Sequence, residues 1–369
     1  MPGKRLSKPA EQARLFASEE IGCAGVTREP PRRPCREATR VAPIVPSEAL
    51  SALGAALPEK LFFGTSSWSF PGWAGIVYAS AASEAELARA GLSAYAAHPL
   101  MRAVGIDRTF YAPLSEAAYA AYARQVSRVR RDFQFLVKAP MAVTAPRLRD
   151  ETGRWTDNPL FLDARFAVRE FIEPASAGLG RHCGPLVFQF PPLGPRWVRD
   201  SLALFDRLTE FLLAVREASP AAAERCLAVE LRDPELLDSH YLAALCAGGA
   251  APCLAIHARM PPLTEQLDLW RAVAAAPLIV RWSLHSGLAY EQARARYAPF
   301  DRLIDEDPES RHALAVAVDE ALAHDRAAII IVNNKAEGSA PLSIEALAAL
   351  IAHRRHAATH GTSGLARSP

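Results

Sequence analysis

Two residues of opposite charge, Glu230 and Arg232, alternate with apolar residues in the segment 226–234. The apolar positions are Leu227, Val229 and Leu231. This spacing is typical of a β-strand, and it puts both charged side chains on one face of that strand. Such a pair could bind an anion or transfer a proton. Alternatively, it could be a structural ion pair that fixes the register of the strand.

Polar side chains also end the other apolar runs of the chain. These runs end in Thr65, Ser67 and Trp68; in Asp107, Thr109 and Tyr111; in Lys138; in Gln189; in His257 and Arg259; in Arg281; and in Asn333 and Asn334. Along their runs, Lys138, Gln189 and Arg281 share one strand face, and the opposite face is apolar. If the strands form a parallel barrel, these ends meet at one rim and the polar faces converge on a single site.

The charged residues of this site have predicted roles. Lys138 and Glu230 are the candidate catalytic residues, as an acid/base pair in which each shifts the pKa of the other. Arg232 and Arg281 are candidate ligands for an anion, because the guanidinium fork matches phosphate and carboxylate groups. Asp107 belongs to the predicted substrate-binding set. The alternatives are structural, since Lys138 could simply neutralise Glu230 and both arginines could belong to fixed ion pairs.

The other predicted substrate-binding residues are amides and aromatics. Gln189 and Asn333 could orient a bound anion through their amide groups. Trp68 and Tyr111, together with Trp73, could form a wall on which a flat ligand stacks, or they could be aromatics that pack a loop.

No pattern in the sequence predicts a metal centre or a hydrolase triad. His257 is a lone histidine at a strand end, and no His-x-His or Glu-x-x-His spacing supplies further metal ligands. Ser66 and Ser67 lack the Gly-x-Ser-x-Gly turn that exposes a nucleophilic serine. The sequence identifies no cofactor.

The elements that must position these side chains alternate between strand and helix. Apolar runs predict eight strands, at 61–66, 100–106, 133–137, 185–189, 226–231, 252–257, 277–282 and 328–332, and a helical pattern follows each one. Eight such units over about 300 residues favour an α/β fold of the (β/α)₈ TIM barrel type. A doubly wound open sheet is the alternative, although the glycine-rich nucleotide motif of such sheets is missing.

Three segments are predicted along the chain. Residues 1–58 are interrupted by prolines and rich in arginine, which predicts a disordered extension. Residues 59–356 form the barrel domain, and residues 357–369 form a flexible tail.

The composition narrows the class of protein only slightly. The chain has 369 residues, of which 50% are hydrophobic, and a net charge of +2 at pH 7. This charge does not by itself indicate a nucleic-acid-binding or membrane-surface protein, and no apolar run is long enough to span a bilayer. The six cysteines have no zinc or redox spacing and several lie in apolar segments, which predicts reduced thiols and a cytoplasmic location. The oligomeric state is left open.

Seven segments of the chain, taken in order, resemble the motifs of the YecE-like family, also known as domain of unknown function 72. They are Phe63–Trp73, Arg108–Tyr111, Asp132–Pro140, Gly184–Pro192, Val229–Pro234, Val280–Trp282 and Val332–Asn334. The resemblance covers the chain from about residue 60 to residue 355. It implies a TIM barrel related in shape to the xylose-isomerase and endonuclease-IV-like barrels. It implies no particular activity, because the family has none assigned.

The chain departs from the family pattern at three polar positions. Gly105 stands where the family usually has glutamate, Ala145 where it commonly has histidine, and Asp233 where histidine is frequent. Because all three positions lie near the predicted site, a divergent and inactive member of the family is an alternative to an enzyme.

These observations lead to three functional hypotheses. The first is a metal-independent enzyme whose barrel mouth holds a small anionic substrate bearing phosphate or carboxylate. The second is a nucleic-acid-binding module, in which the aromatic side chains stack on bases and basic side chains contact phosphates. The third is an inert scaffold that binds a protein partner.

Overall fold

Eight parallel strands close into a barrel in the computed structural model, which describes residues 41–361 and the side chains of residues 41–357. The predicted (β/α)₈ TIM barrel is therefore confirmed. The barrel strands are β1 (Leu61–Thr65), β2 (Met101–Ile106), β3 (Gln134–Lys138), β6 (Cys183–Gln189), β7 (Leu227–Glu230), β8 (Ala251–Ile256), β9 (Leu278–Trp282) and β10 (Ala328–Val332). Two short strands, β4 (Arg147–Arg149) and β5 (Trp155–Asp157), form a separate antiparallel hairpin within the insertion that follows β3.

Helices follow the barrel strands. The α-helices are α1 (Glu48–Ala56), α2 (Glu84–Ala90), α3 (Leu92–Ala97), α4 (Glu116–Ser127), α5 (Met141–Thr144), α6 (Ala164–Ala167), α7 (Glu173–Leu179), α8 (Pro195–Arg199), α9 (Ser201–Ala218), α10 (Pro220–Glu224), α11 (Ser239–Gly248), α12 (Leu263–Ala272), α13 (Tyr290–Tyr297), α14 (Pro308–Ala323) and α15 (Ala340–Gly361). A π-helical segment, Val168–Ile172, joins α6 to α7. Short 3₁₀ turns lie at Pro71–Trp73, Arg108–Phe110, Gly180–His182 and Pro234–Leu236.

Capping residues explain where some helices begin. The helix after β7, α11, begins at Ser239 because the Asp238 carboxylate accepts the backbone N–H groups of His240 and Tyr241, each over 2.9 Å. Accepting the free N–H groups of a first turn is the function of an N-cap, and aspartate is among the residues that do so most often. The residues from Pro234 to Leu236 form a 3₁₀ turn.

Strand pairing brings the polar strand ends to one rim. Each barrel strand pairs with the barrel strands before and after it in the chain, and β1 pairs with β10 to close the cylinder. Gln189, the last residue of β6, pairs with Glu230, the last residue of β7, and Lys138 at the end of β3 pairs with Val187. Arg281 is the residue before the end of β9. The carboxyl ends of the strands thus form the mouth at which TIM barrels carry their functional residues.

The other strand face packs against the helices, as the alternation of residues predicts. Phe135 of β3 lies with its ring centroid 6.4 Å from that of Tyr122 on α4. Phe188 of β6 lies 5.2 Å, between ring centroids, from Phe211 on α9. Since side chains alternate between the faces of a strand, the polar residues next to these aromatics face the inside of the barrel.

Helices lie in the described structure on both sides of the predicted limits of the barrel domain, residues 59 and 356. Within the segment predicted to be disordered, helix α1 is capped by the Ser47 hydroxyl, which accepts the N–H of Leu50 over 3.1 Å. The Arg102 guanidinium of β2 donates to the Pro58 carbonyl over 2.7 Å, so this segment is attached to the barrel. At the other end, α15 continues to Gly361, past the predicted start of the tail at residue 357. The rest of the predicted extension and tail, residues 1–40 and 362–369, lies outside the described residues.

Two further predictions concern the state of the cysteines and the absence of a membrane span. Cys183, Cys226, Cys246 and Cys253 are free thiols, whereas Cys23 and Cys35 lie outside the described residues. Within residues 41–361, none of the helices combines the length and the apolarity that crossing a membrane requires.

Candidate functional site

Arg281 joins two acidic side chains across the interior of the barrel. Its Nη1 lies 2.9 Å from Oε2 of Glu230, and its Nη2 lies 2.7 Å from Oδ2 of Asp107. Glu230 ends β7, Arg281 lies near the end of β9, and Asp107 directly follows β2. Because no two of these strands are neighbours in the barrel, the three side chains meet inside it, at the rim formed by the carboxyl ends of the strands.

Glu230 is completely buried and has three partners. Arg232 forms an ion pair with its Oε1, Arg281 binds its Oε2, and the thiol of Cys253 donates to Oε2 over 3.8 Å. Burial alone would raise the pKa of Glu230, but the positive charges of Arg232 and Arg281 outweigh burial and lower this pKa to about 2. Glu230 is therefore a fixed carboxylate at neutral pH.

Lys138 is the third basic residue at this rim, and it has a different environment from the two arginines. Its Nζ lies 3.7 Å from the centroid of the Phe110 ring, which is a cation–π contact. Burial lowers the pKa of Lys138 to about 7; among the neighbouring charges, Asp107 and Glu230 act in the opposite direction and the arginines act with burial. A substantial fraction of Lys138 is therefore a neutral amine near pH 7. We refer to Asp107, Lys138, Glu230, Arg232 and Arg281 as the rim cluster.

The predicted coupling between Lys138 and Glu230 is present but minor. Each of these residues shifts the pKa of the other in the direction that favours its charged form. For Lys138 the dominant cause is burial, and for Glu230 the arginine charges contribute more than Lys138 does. The two residues thus belong to one cluster without forming an isolated acid/base pair.

Apart from Oε1 of Glu230, which is held in the ion pair with Arg232, three buried polar atoms of the rim cluster have no hydrogen-bond partner within residues 41–357. They are Oδ1 of Asp107, Nη1 of Arg232 and Nε of Arg281. Buried polar groups are nearly always paired with protein, water or a ligand. One acceptor and two charged donors of the rim cluster therefore have no protein partner in this part of the chain.

The two amides predicted to orient a substrate support loop backbone. Gln189 is buried, and its Nε2 donates to the carbonyl of the adjacent Phe190 over 3.3 Å. Asn333 accepts the backbone N–H of Lys335 at its Oδ1 over 3.0 Å. In the described part of the chain, no hydrogen bond joins either amide to the rim cluster.

The predicted aromatic wall is largely buried. Trp68 is only 6% exposed and donates from Nε1 to the Leu87 carbonyl over 3.1 Å, and Trp73 is completely buried. Both tryptophans are therefore packing residues, which is the second of the two interpretations that their sequence allows. Tyr111 differs from them, since 45% of its surface is exposed.

Two residues of the site have no role in the sequence-based prediction. Phe110 lies under the Lys138 amine, and Cys253 donates to Glu230. The sequence does not indicate a functional role for Cys253, because a cysteine in an apolar run is usually a small buried residue. Strand register provides a signal for it, since Cys253 precedes by two residues Ala255, the partner of Arg281 in the adjacent strand.

His257 directly follows β8, near the rim cluster. Its Nδ1 accepts the backbone N–H of Arg259 over 3.2 Å. Burial, followed by the positive charge of Arg232, lowers the pKa of His257 to about 3, so the imidazole is neutral at physiological pH. Within residues 41–357, no group of three or more His, Cys, Asp and Glu side chains could hold a metal ion.

The structure shows what surrounds the three positions at which the chain departs from the family pattern. A Cβ at Gly105 would lie 3.3 Å from the Ser66 backbone and 3.5 Å from Cγ2 of Ile331. Ala145 is buried. The Asp233 carboxylate accepts the backbone N–H of Leu193 over 2.7 Å, which connects the loops after β6 and β7.

Comparisons with known proteins agree with this fold. A family model described as protein of unknown function DUF72 matches residues 62–366. The structure is similar to that of a DUF72 family protein from Enterococcus faecalis V583, with a TM-score of 0.50 at 13% identity over 78% of this chain and 95% of that chain. A DUF72 family protein from Thermotoga maritima has a TM-score of 0.49 at 18% identity over 80% of this chain and 99% of that chain. No curated protein sequence matches the chain.

Proposed function

Because the chain belongs to the DUF72 family, whose function is unknown, we propose a function from the rim cluster: the mouth of the barrel binds a small anionic ligand that carries phosphate or carboxylate. The observation that carries this proposal is the pair of buried guanidinium nitrogens, Nη1 of Arg232 and Nε of Arg281, that have no partner within residues 41–357. Nη2 of Arg232 already binds Glu230, and the two Nη atoms of Arg281 already bind Asp107 and Glu230.

The charge of the rim cluster also favours an anion. Three basic side chains stand against two acidic ones, so the cluster carries a net positive charge whenever Lys138 is protonated. Glu230 contributes by holding both guanidinium groups in place, because its two oxygens bind one arginine each. A group that is fixed in advance loses less conformational entropy on binding, so this arrangement suits recognition of a small ligand.

Lys138 gives the proposed site a group that can exchange a proton near neutral pH. A general acid or base is most effective when its pKa is close to the working pH, and burial lowers the pKa of Lys138 to about 7. Glu230 does not meet this requirement, because its pKa is lowered to about 2. We therefore assign the proton-transfer role to Lys138 and a positioning role to Glu230.

The alternative of nucleic-acid binding has weaker support. Stacking on bases requires exposed aromatic faces, and of the three aromatics that this hypothesis uses only Tyr111 is exposed, whereas Trp68 and Trp73 are buried. The proposal of a small anionic ligand does not depend on these residues.

Binding of inorganic phosphate and of malonate, measured by titration calorimetry, tests the proposal. The informative variant is Arg232→Lys, which keeps the positive charge beside Glu230 but removes the second nitrogen of the fork. The matched control is Arg102→Lys, at the start of β2 and hence at the opposite end of the barrel, where the arginine binds backbone carbonyls.

We expect at least one of the two anions to bind the unchanged protein and the Arg102→Lys variant with similar affinity. We expect the Arg232→Lys variant to bind it at least tenfold more weakly, since the unpaired Nη1 donor of Arg232 is lost while the charge beside Glu230 remains. Absence of binding by the unchanged protein, or equal affinity in the Arg232→Lys variant, would overturn the proposal. Retention of a short oligonucleotide at low salt, with affinity that falls steeply as salt increases, would instead favour the nucleic-acid alternative.

A further inference from the structure

The geometry points to Lys138 as a nucleophile that forms an imine with a ligand carrying an aldehyde or ketone group beside its phosphate or carboxylate. This inference rests on the proposed anion site and names the substrate class of that site. Lys138 then acts through a covalent bond to the ligand, which goes beyond proton transfer.

The first observation is the set of contacts around the Lys138 amine. Nζ lies over the Phe110 ring at 3.7 Å from its centroid. The two carboxylates of the rim cluster, Glu230 and Asp107, bind arginines instead. In the described part of the chain, Lys138 therefore has no carboxylate at ion-pair distance. A lysine that is desolvated and lies beside other cations is the environment in which an amine becomes a nucleophile near neutral pH.

The second observation is that Lys138 remains reachable. Its side chain ends at the mouth of the barrel, at the end of β3, and the residue is 9% exposed. Lys138 therefore keeps a small accessible surface at the mouth of the barrel, where a small molecule can contact the residue. The direction of its pKa shift, downward to about 7 because of burial, agrees with this placement.

The third observation is that groups suited to the rest of the ligand lie in the same cluster. Arg232 and Arg281 each have an unpaired nitrogen that could hold the anionic end. Oδ1 of Asp107 has no partner within residues 41–357, and the charge of Asp107 acts on Lys138 more strongly than any other charge does. The cluster thus combines an anion site, an amine and an acceptor for a proton.

The proposed reaction balances without a cofactor. The lone pair of the neutral Lys138 amine attacks the carbonyl carbon, a C–N bond forms, and the electrons of the C=O bond pass to oxygen. Asp107 takes one proton from the positively charged nitrogen of this adduct and passes it to the oxygen, which gives a neutral carbinolamine. A proton from water then converts the hydroxyl group into a leaving water molecule while the nitrogen lone pair forms the C=N bond, and the nitrogen returns its second proton to solvent through Asp107. The sum is one amine plus one carbonyl compound giving one imine plus one water.

Reductive trapping tests this inference on the full-length protein. The protein is incubated at pH 7 with pyruvate or with glycolaldehyde phosphate in the presence of sodium cyanoborohydride, and peptide mass spectrometry locates the reduced adducts. Two other lysines serve as internal controls in the same sample. Lys335 is also buried, with its Nζ 4.2 Å from the centroid of the Tyr290 ring. Lys60 is half-exposed and forms an ion pair with Asp325.

We expect the Lys138 peptide to be labelled at least tenfold faster than those of Lys60 and Lys335, with a rate that rises through a midpoint near pH 7. We also expect phosphate to slow labelling of Lys138 alone. Labelling of Lys138 at the rate of Lys60, or no labelling of Lys138, would overturn the inference.

Lactate separates failure of this inference from failure of the proposed function. It has the carboxylate of pyruvate but no carbonyl group that an amine could attack. If lactate or phosphate binds the protein while neither carbonyl compound labels Lys138, the imine is disproved and the anion site stands. If none of these anions binds and no labelling occurs, both proposals are wrong.

Discussion

Nη1 of Arg281 lies 2.9 Å from Oε2 of Glu230, and this contact joins two strands, β9 and β7, that do not pair with each other. The Glu230 side chain is completely inaccessible and that of Arg281 is 5% exposed. Removing one member of a buried ion pair leaves the other charge without compensation in a medium that solvates it poorly. The contact therefore ties the stability of the barrel to the same residues that form the proposed site.

Replacement of Arg281 by leucine should destabilise the protein strongly. Glu230 would keep Arg232 as its only basic partner, and Asp107 would lose its ion pair. We expect the free energy of unfolding, measured by urea denaturation at pH 7, to fall by about 3–5 kcal/mol.

Arg271 provides the matched control for this substitution. It also bridges two carboxylates, those of Asp268 and Glu320, but its side chain is 42% exposed. Exposed ion pairs contribute little, so Arg271→Leu should cost about 1 kcal/mol or less. Equal losses for the two variants would show that burial of the Arg281 network does not determine its contribution.

Replacement of Lys138 by methionine should stabilise the protein at pH 6. The folded-state pKa of Lys138, about 7, lies below its usual value. Below about pH 7, folding therefore buries a charged lysine, and above this pH folding releases the proton. Between about pH 7 and pH 10 the unfolded chain holds one more proton than the folded chain, and this proton makes stability rise by about 1.4 kcal/mol per pH unit. Methionine removes both the unfavourable burial of the lysine charge and this part of the rise in stability with pH.

Urea denaturation at pH 6 and pH 9.5 measures this effect. The Lys138→Met variant should be more stable than the unchanged protein at pH 6, and the difference should shrink at pH 9.5. Lys60→Met, at a half-exposed lysine, should leave the pH dependence unchanged. A Lys138→Met variant that is less stable at pH 6 would show that the lysine charge is compensated in the folded protein.

His257 should make the protein less stable in acid. Burial and the Arg232 charge lower its folded-state pKa to about 3, whereas an unfolded chain protonates histidine near pH 6.5. The free energy of unfolding is therefore unaffected by His257 protonation above about pH 6.5. As the pH falls from 6.5 toward 3, it decreases by up to about 1.4 kcal/mol per pH unit, because the unfolded chain binds the proton and the folded protein does not. The His257→Gln variant should show a flatter decline in unfolding free energy over this range.

The control for His257 is His240, whose side chain is 53% exposed. Because this side chain is largely in solvent, the His240→Gln variant should change the unfolding free energy between pH 6.5 and pH 3 less than the His257→Gln variant does. If the two variants show equal changes, the imidazole of His257 is not kept neutral by its surroundings.

The sequence predicts the barrel well because its signals are local. Each apolar run agrees with a barrel strand to within two residues at either end, and the side-chain alternation within β3 and β6 correctly predicts that Phe135 and Phe188 face the helices. The hairpin of β4 and β5 is not predicted, because its three-residue strands are too short to show a periodic pattern.

The contacts within the site are less predictable than the fold. Strand-end positions bring Glu230, Arg232 and Arg281 to one rim, but the choice of Asp107 as the second partner of Arg281 depends on distances across the closed barrel. A local sequence pattern also cannot predict the burial of Trp68. This burial depends on the loop folding back so that the indole reaches the Leu87 carbonyl. The sequence therefore allows a stacking wall where the structure has a packed loop.

Gly64 permits a close approach of β1 to its neighbour β2. A Cβ at this position would lie 2.1 Å from the Ala103 carbonyl oxygen, and the pairing of β1 with β2 is irregular between Phe63 and Gly64. Gly64→Ala should therefore force backbone to move and lower the free energy of unfolding by about 3 kcal/mol. Gly105→Ala, in the adjacent strand, is the control: the nearest atom would be 3.3 Å from its Cβ, and we expect a loss below about 1 kcal/mol. If urea denaturation shows that the two variants lose equal amounts of unfolding free energy, the close approach of β1 to β2 does not require glycine at position 64.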